Sequence, residues 1–128
     1  MAQMVRVYTI LPGAAAADDT FNPAAPFPVV RMEVEAANPE WYSAAAYEVR
    51  GYVRDYCTGI TAALGPISGA LQDANWNTQN DTFEFALPAT ITAAAASGGF
   101  VEVKGWVRIG APGPGAEVEI GSTEFVWT

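Results

Sequence analysis

Alternation of apolar and polar residues with a period of two runs through most of this chain, and no other feature limits its fold as tightly. Within residues 29–36, Val30, Met32, Val34 and Ala36 share one face while Arg31, Glu33 and Glu35 share the other. Successive strand side chains point to opposite sides of a sheet, so the pattern specifies a strand with one face in a core and one in water. Residues 47–56 alternate in the same way, with Tyr47, Val49, Gly51 and Val53 on one side. So do residues 100–110, with Val101, Val103, Gly105, Val107 and Ile109 inward. Shorter runs at 5–11, 82–87, 117–120 and 124–128 bring the expectation to about seven antiparallel strands.

The breaks between runs carry turn chemistry: Pro12-Gly13, Asn22-Pro23, Asn38-Pro39, Gly65-Pro66, Gly98-Gly99 and the Pro/Gly cluster at 112–115. Only segments 39–46 and 88–96 could be helical, and both are short. The expected architecture is all-β: an immunoglobulin-like or related Greek-key β-sandwich with at most one or two helical turns. In strand count and rhythm the chain resembles bacterial and phage immunoglobulin-like domains, although it lacks a Cys–Trp–Cys signature. No composition shift marks a boundary, so residues 1–128 read as one domain. At 128 residues and 51% hydrophobic, the chain can bury a core without a metal or disulfide.

Fourteen acidic and six basic residues give a net charge of -8, which repels nucleic acid and anionic membrane surfaces at long range. No nucleic-acid partner and no membrane insertion are expected. The N-terminal residues lack the basic region, apolar run and cleavage site of an export signal, so synthesis in the cytoplasm without a signal peptide is expected. That origin would suit a subunit later incorporated into a virion.

Residue types limit the chemistry further. There is no histidine, which removes the commonest general base and metal ligand. Cys57 is the only cysteine, so it forms no internal disulfide, and near a strand end it is expected to be a small buried apolar residue. Prolines interrupt residues 110–115, removing N–H groups that a phosphate cradle would need. Asp18, Asp19 and Asn22, or Asp73 with Asp81, could offer oxygens to calcium, but neither set follows a ligand spacing. Asn80-Asp81-Thr82 fits a glycosylation acceptor and reads as a chance match. No catalytic residue, cofactor or metal is expected.

One internal echo has chemical content. Glu48-Val49-Arg50-Gly51-Tyr52-Val53-Arg54 matches Glu102-Val103-Lys104-Gly105-Trp106-Val107-Arg108 in residue type at every position. Duplication of a half-domain and shared packing demands explain it equally well. Arg50, Tyr52 and Arg54 share a strand face, as do Lys104, Trp106 and Arg108. If the two strands are adjacent, as the third and sixth strands of an immunoglobulin-like sandwich are, the six side chains form one basic-aromatic patch. Such a patch could grip an anionic or sugar ligand through cation–π contacts and arginine forks. A plain surface charge ladder, paired with outward Glu33, Glu35, Glu117, Glu119 and Glu124 of flanking strands, is the commoner outcome. Inward Gly51 and Gly105 would leave room for a bulky residue from the opposite sheet: Trp41, Trp127 or Phe85.

The remaining candidate is Trp76, in a polar tract from Gln72 to Asp81. It could stack on a sugar or anchor a protein, while folding back to plug the end of the sandwich is the commoner fate. The apolar connection at 13–28 is expected to lie on a surface of its own domain, another copy or a particle lattice. Together these features favour a non-enzymatic structural or assembly protein, such as an accessory, decoration-type subunit of a phage virion. Its partners would be copies of itself or a particle lattice. The alternative is a carbohydrate- or ligand-binding module using Tyr52, Trp106 and Trp76. A carboxylate-only enzyme ranks last.

Overall fold

The computed structural model describes residues 3–95 and 98–128, and the three strongest alternating runs form strands where their period places them. In chain order the elements are β1 (Gln3–Ile10), β2 (Thr20–Phe21), β3 (Val29–Glu35), α1 (Asn38–Tyr42), β4 (Ala46–Asp55), β5 (Thr61–Ala70), β6 (Asn80–Ala86), α2 (Ala89–Ala94), β7 (Phe100–Ile109) and β8 (Glu117–Trp127). α2 falls inside its expected segment, α1 begins one residue ahead of its own, and both are shorter than expected. Residue 96, the last of the second segment, lies outside the described residues.

The strands form two sheets, ordered β1-β3-β6 and β2-β8-β7-β4-β5. Their inner faces supply one shared core, in which Met32, Val34, Tyr47, Val49, Val53, Val103, Val107 and Phe125 are all buried. Every inward residue expected on β3, β4 and β7 is buried there. The remaining face of each sheet meets water, as antiparallel sheets allow.

Three departures from the expected strand list have physical causes. The eight strands include β5, which the period did not reveal. It is an edge strand built from small residues, mostly exposed, and its register against β4 slips between Val49 and Gly51. Contrast between faces is therefore weak, and a bulge breaks its phase. Second, the runs at 117–120 and 124–128 belong to the single strand β8, continuous through Gly121. Third, β2 pairs with β8 in parallel, so the pairing is not wholly antiparallel. Segment 13–28 lies on its own domain through this strand: Phe21 is buried edge-on to Phe125 at 5.9 Å, and Phe27 meets Trp127 at 6.2 Å.

Close approach of the two sheets depends on a row of glycines. Gly51 pairs with Gly105, and Gly105 with Gly121, across three neighbouring strands. Met32 from the opposite sheet fills the space above Gly105, and Met4 and Val7 fill the space above Gly121. The large residues expected there sit elsewhere. Phe85 reaches Gly65, where a Cβ would lie 3.0 Å from its ring, and Trp127 is buried against Phe27 and Phe125. An unbranched, flexible methionine suits a narrow slot better than an indole does.

Candidate functional site

β4 and β7 are neighbours, and their register brings the two echoing motifs onto one outer face. Arg50 stands opposite Trp106, Tyr52 opposite Lys104, Arg54 opposite Glu102 and Glu48 opposite Arg108. The Arg50 guanidinium lies over the Trp106 ring, 4.3 Å from its centroid. Arg54 approaches the ring of Tyr56 at 5.4 Å, and Tyr56 in turn packs against Phe100. Arg108 differs from the others. It donates to Glu48 at 2.7 Å and to the Gly110 carbonyl at 3.2 Å, so its charge is used within the sheet.

Arg50, Arg54 and Lys104 are not so paired: among the described residues none of the three closes an ion pair. Three cations outside any ion pair among the described residues thus lie together on a chain of net charge -8, with Glu102 and Glu124 at one end of the same face. The Tyr56 hydroxyl is held above its ordinary titration range by burial and then by the nearby Glu102 carboxylate, which marks the acidic lower rim of the same face.

β8 adds residues that the sequence reading missed. Its register sets Val118 beside Arg108 and Ile120 beside Trp106, so both aliphatics point outward, 54% and 59% exposed. Glu117 and Glu119, expected on the outer face, stand opposite Ile109 and Val107 and therefore take the inner phase at the strand's beginning. The cause lies at the other end of the strand. Phe125 and Trp127 are buried, and with the strand unbroken their phase is imposed on every residue back to Glu117. Hydrophobic pattern and observed facing conflict here. Such local conflicts, and adjoining exposed aliphatics, concentrate at contact surfaces. The outer face thus runs from Val118, Ile120 and Trp106, through Arg50, Lys104, Tyr52 and Arg54, to Tyr56 and Phe100.

Trp76 is not part of any surface: it folds back into the core, the commoner of the two fates expected for it, and the candidate binding role is corrected by this burial. No part of the side chain is exposed; the indole lies 5.0 Å from the Tyr47 ring and 5.6 Å from that of Phe83. The loop that carries it is tied down by Asp73, whose carboxylate accepts from the Tyr47 hydroxyl and from the backbone N–H of Asn75 and Trp76. Trp76 Nε1 then donates to the Gln79 carbonyl at 3.3 Å, and the Gln79 amide donates to Ala36 and Asn38. Burial raises the Asp73 carboxyl, but the bonds from Trp76, Tyr47 and Asn75 outweigh it and hold the group below its ordinary range. The Tyr47 hydroxyl is pushed up, first by burial and then by Asp73.

The other polar candidates serve turns. Asp81 accepts from the N–H groups of Asn77, Thr78 and Thr82, and Asp18 accepts from Thr20. Cys57 is exposed rather than buried. The buried carboxylate of Asp55 accepts from its N–H and from the Thr58 hydroxyl, drawing the chain into a turn that leaves the thiol outside. No helix among the described residues is long and apolar enough to cross a membrane. Compared with known proteins, the chain matches no family model, no curated protein and no solved structure.

Proposed function

We propose that the protein is a non-enzymatic assembly or binding subunit that acts through protein–protein contacts made by the outer face of the five-stranded sheet. An accessory, decoration-type subunit of a phage virion or similar particle is the kind of role this describes. One observation carries the reading: Arg50, Arg54 and Lys104, none of them ion-paired among the described residues, share a face with outward-turned Val118 and Ile120. Exposed aliphatics beside half-buried aromatics and arginines have the composition of a contact surface, where tryptophan, tyrosine and arginine supply most of the binding energy.

The strand order supports an immunoglobulin-like Greek-key sandwich as the scaffold. β1 and β3 pair in one sheet, the chain crosses to β4 and β5, returns to place β6 beside β3, and crosses again to β7 and β8. Carbohydrate binding is the weaker reading. A sugar needs a bare ring face, whereas Arg50 covers Trp106 and Trp76 is buried.

The test is fractionation of the cells or particles that produce the protein on a density gradient. The reading expects the chain to travel with a large assembly and the variant Arg50→Glu/Arg54→Glu to stay at the top. A wild-type chain that remains at the top, with the 13.5 kDa monomer, would refute it.

A further inference from the structure

The basic outer face has a counterpart on the other side of the molecule. The exposed face of the three-stranded sheet carries Glu33 and Glu35 on β3 and Glu84 on β6, together with Arg31 and, opposite Glu33 on β1, Arg6, which lies over the Tyr8 ring. Glu84 is bound by Arg31, but neither Glu33 nor Glu35 closes an ion pair among the described residues; Glu35 only accepts a bond from Gln3. Between them lies an open cleft of about 310 Å³ lined by Val5, Glu33, Glu35, Asn80, Asp81 and Thr82. Val5 stands in it because the register of β1 slips between Met4 and Arg6, and this turns the side chain out to 54% exposure. Bulges re-aim side chains in this way at sheet edges.

We propose that the outer face of the five-stranded sheet docks on this acidic face of a second copy of the same chain, so that copies stack head to tail. The inference rests on the contact-surface reading above and names its partner. Charge complementarity carries it: Arg50, Arg54 and Lys104 would meet Glu33 and Glu35, the two carboxylates of that face outside any ion pair among the described residues, and the aliphatic pair Val118 and Ile120 would meet Val5. Pairing the basic face with itself would instead set Arg50, Arg54 and Lys104 towards their own copies, with Glu102 and Glu124 at one end to offset them in part, and like-charge repulsion opposes it. Because the two faces lie on opposite sides of the molecule, one contact leaves a free basic face at one end and a free acidic face at the other. Such a heterologous contact grows into a ring or a filament rather than a closed pair.

Net charge sets the conditions. Whole-molecule repulsion acts over tens of ångströms and is screened at about 0.15 M salt, where the Debye length is about 8 Å. Ion pairs at contact distance survive that screening and weaken near 1 M, where the length is about 3 Å.

The experiment is sedimentation velocity of the purified full chain. At 0.1 M NaCl wild type should form a concentration-dependent series of species above 13.5 kDa, and at 1 M NaCl its association should weaken at least tenfold. Arg50→Gln/Arg54→Gln removes the charge of the basic face, and Glu33→Gln/Glu35→Gln that of the acidic one, with no new opposite charge created on either. Each variant alone should be monomeric. Mixed in equal amounts they should form a complex of two chains and stop there, since each contributes its one intact face. Val118→Ser/Ile120→Ser, which leaves the charges alone, should also lower association, and near-UV circular dichroism checks that every variant is folded. A monomeric wild type at 0.1 mM overturns the proposal, as does an acidic-face variant that still self-associates or a mixture of folded variants that stays monomeric. If wild type is monomeric alone yet travels with a large particle, the self-docking inference fails and the contact-surface reading stands.

Discussion

Substituting alanine along the glycine row tests the packing of the two sheets at single-atom scale. A Cβ on Gly105 would lie 2.6 Å from both Sδ and Cε of Met32, whose side chain is wholly buried. Carbon contacts are comfortable at about 3.5–4.0 Å, so the end of Met32 must move by about 1 Å within a closed core. Overpacking of this kind costs about 1–3 kcal/mol, and replacing glycine by alanine in a strand returns about 0.5–1 kcal/mol. Gly105→Ala should therefore destabilise by about 1–2 kcal/mol, lowering Tm by about 4–8 °C. At Gly51 the obstacle is backbone. The new Cβ would overlap the carbonyl oxygen of Lys104 and lie 3.0 Å from the Cα of Gly105, and neither can rotate away. Gly51→Ala should cost about 3 kcal/mol or more. Thermal and urea unfolding followed by circular dichroism measures both. Met32→Ala added to Gly105→Ala should cost less than in the parent, with a coupling of about 0.5–3 kcal/mol, and should not rescue Gly51→Ala. The reasoning is refuted if Gly51→Ala melts within about 2 °C of wild type, or if Met32→Ala costs the same in both backgrounds.

Trp76→Ala should destabilise the fold by about 3–5 kcal/mol, because it empties a buried site between Tyr47 and Phe83; an unchanged urea midpoint would place the indole elsewhere. Asp73, whose folded-state carboxyl titrates below its ordinary value, contributes stability that is present above that value and lost as pH falls through the lower one. As pH falls below about 4, wild type should lose stability more steeply than Asp73→Asn, as followed by urea midpoints through the acid range. Tyr47 is raised in the fold, so its contribution is complete below about pH 10 and declines as pH rises further. Tyr47→Phe should make that alkaline decline shallower, the remainder coming from Tyr56, and a decline of equal slope in the variant would assign it to another group. Trp106→Ala should change stability little compared with Trp76→Ala while reducing association, a split read by pairing urea midpoints with sedimentation.

How much the sequence could reveal depended on where each strand sits. β3, β4 and β7 have core on one side and water on the other along their whole length, so every residue from Val30 to Ala36 and from Tyr47 to Val53 reports its face. β5 has a neighbour on one side only and carries alanines, glycines and a proline, which barely distinguish inside from outside. The adjacency of the echo motifs was legible because strands with the same inner row of valines and glycine fit each other in register. Val118 and Ile120 were not, because their facing is dictated by Phe125 and Trp127 several residues away, and Gly121 hid the continuity that transmits it. Gly121 belongs to the strand because Met4 and Val7 occupy the space a side chain would need. Cys57 was misplaced for a local reason: the turn held by Asp55 is a side-chain geometry that residue type alone does not reveal.

The central claim is that the outer face of the five-stranded sheet is a protein contact surface. Hydroxyl-radical footprinting of the assembled protein against its monomer tests it most directly, because Tyr52, Trp106 and Ile120 are oxidisable and lie on that face. Tyr42 on α1, 76% exposed, serves as the internal standard. The account predicts that assembly protects Tyr52, Trp106 and Ile120 while Tyr42 is labelled as before. Equal labelling of the three in both states, with protection confined to other residues, would contradict it.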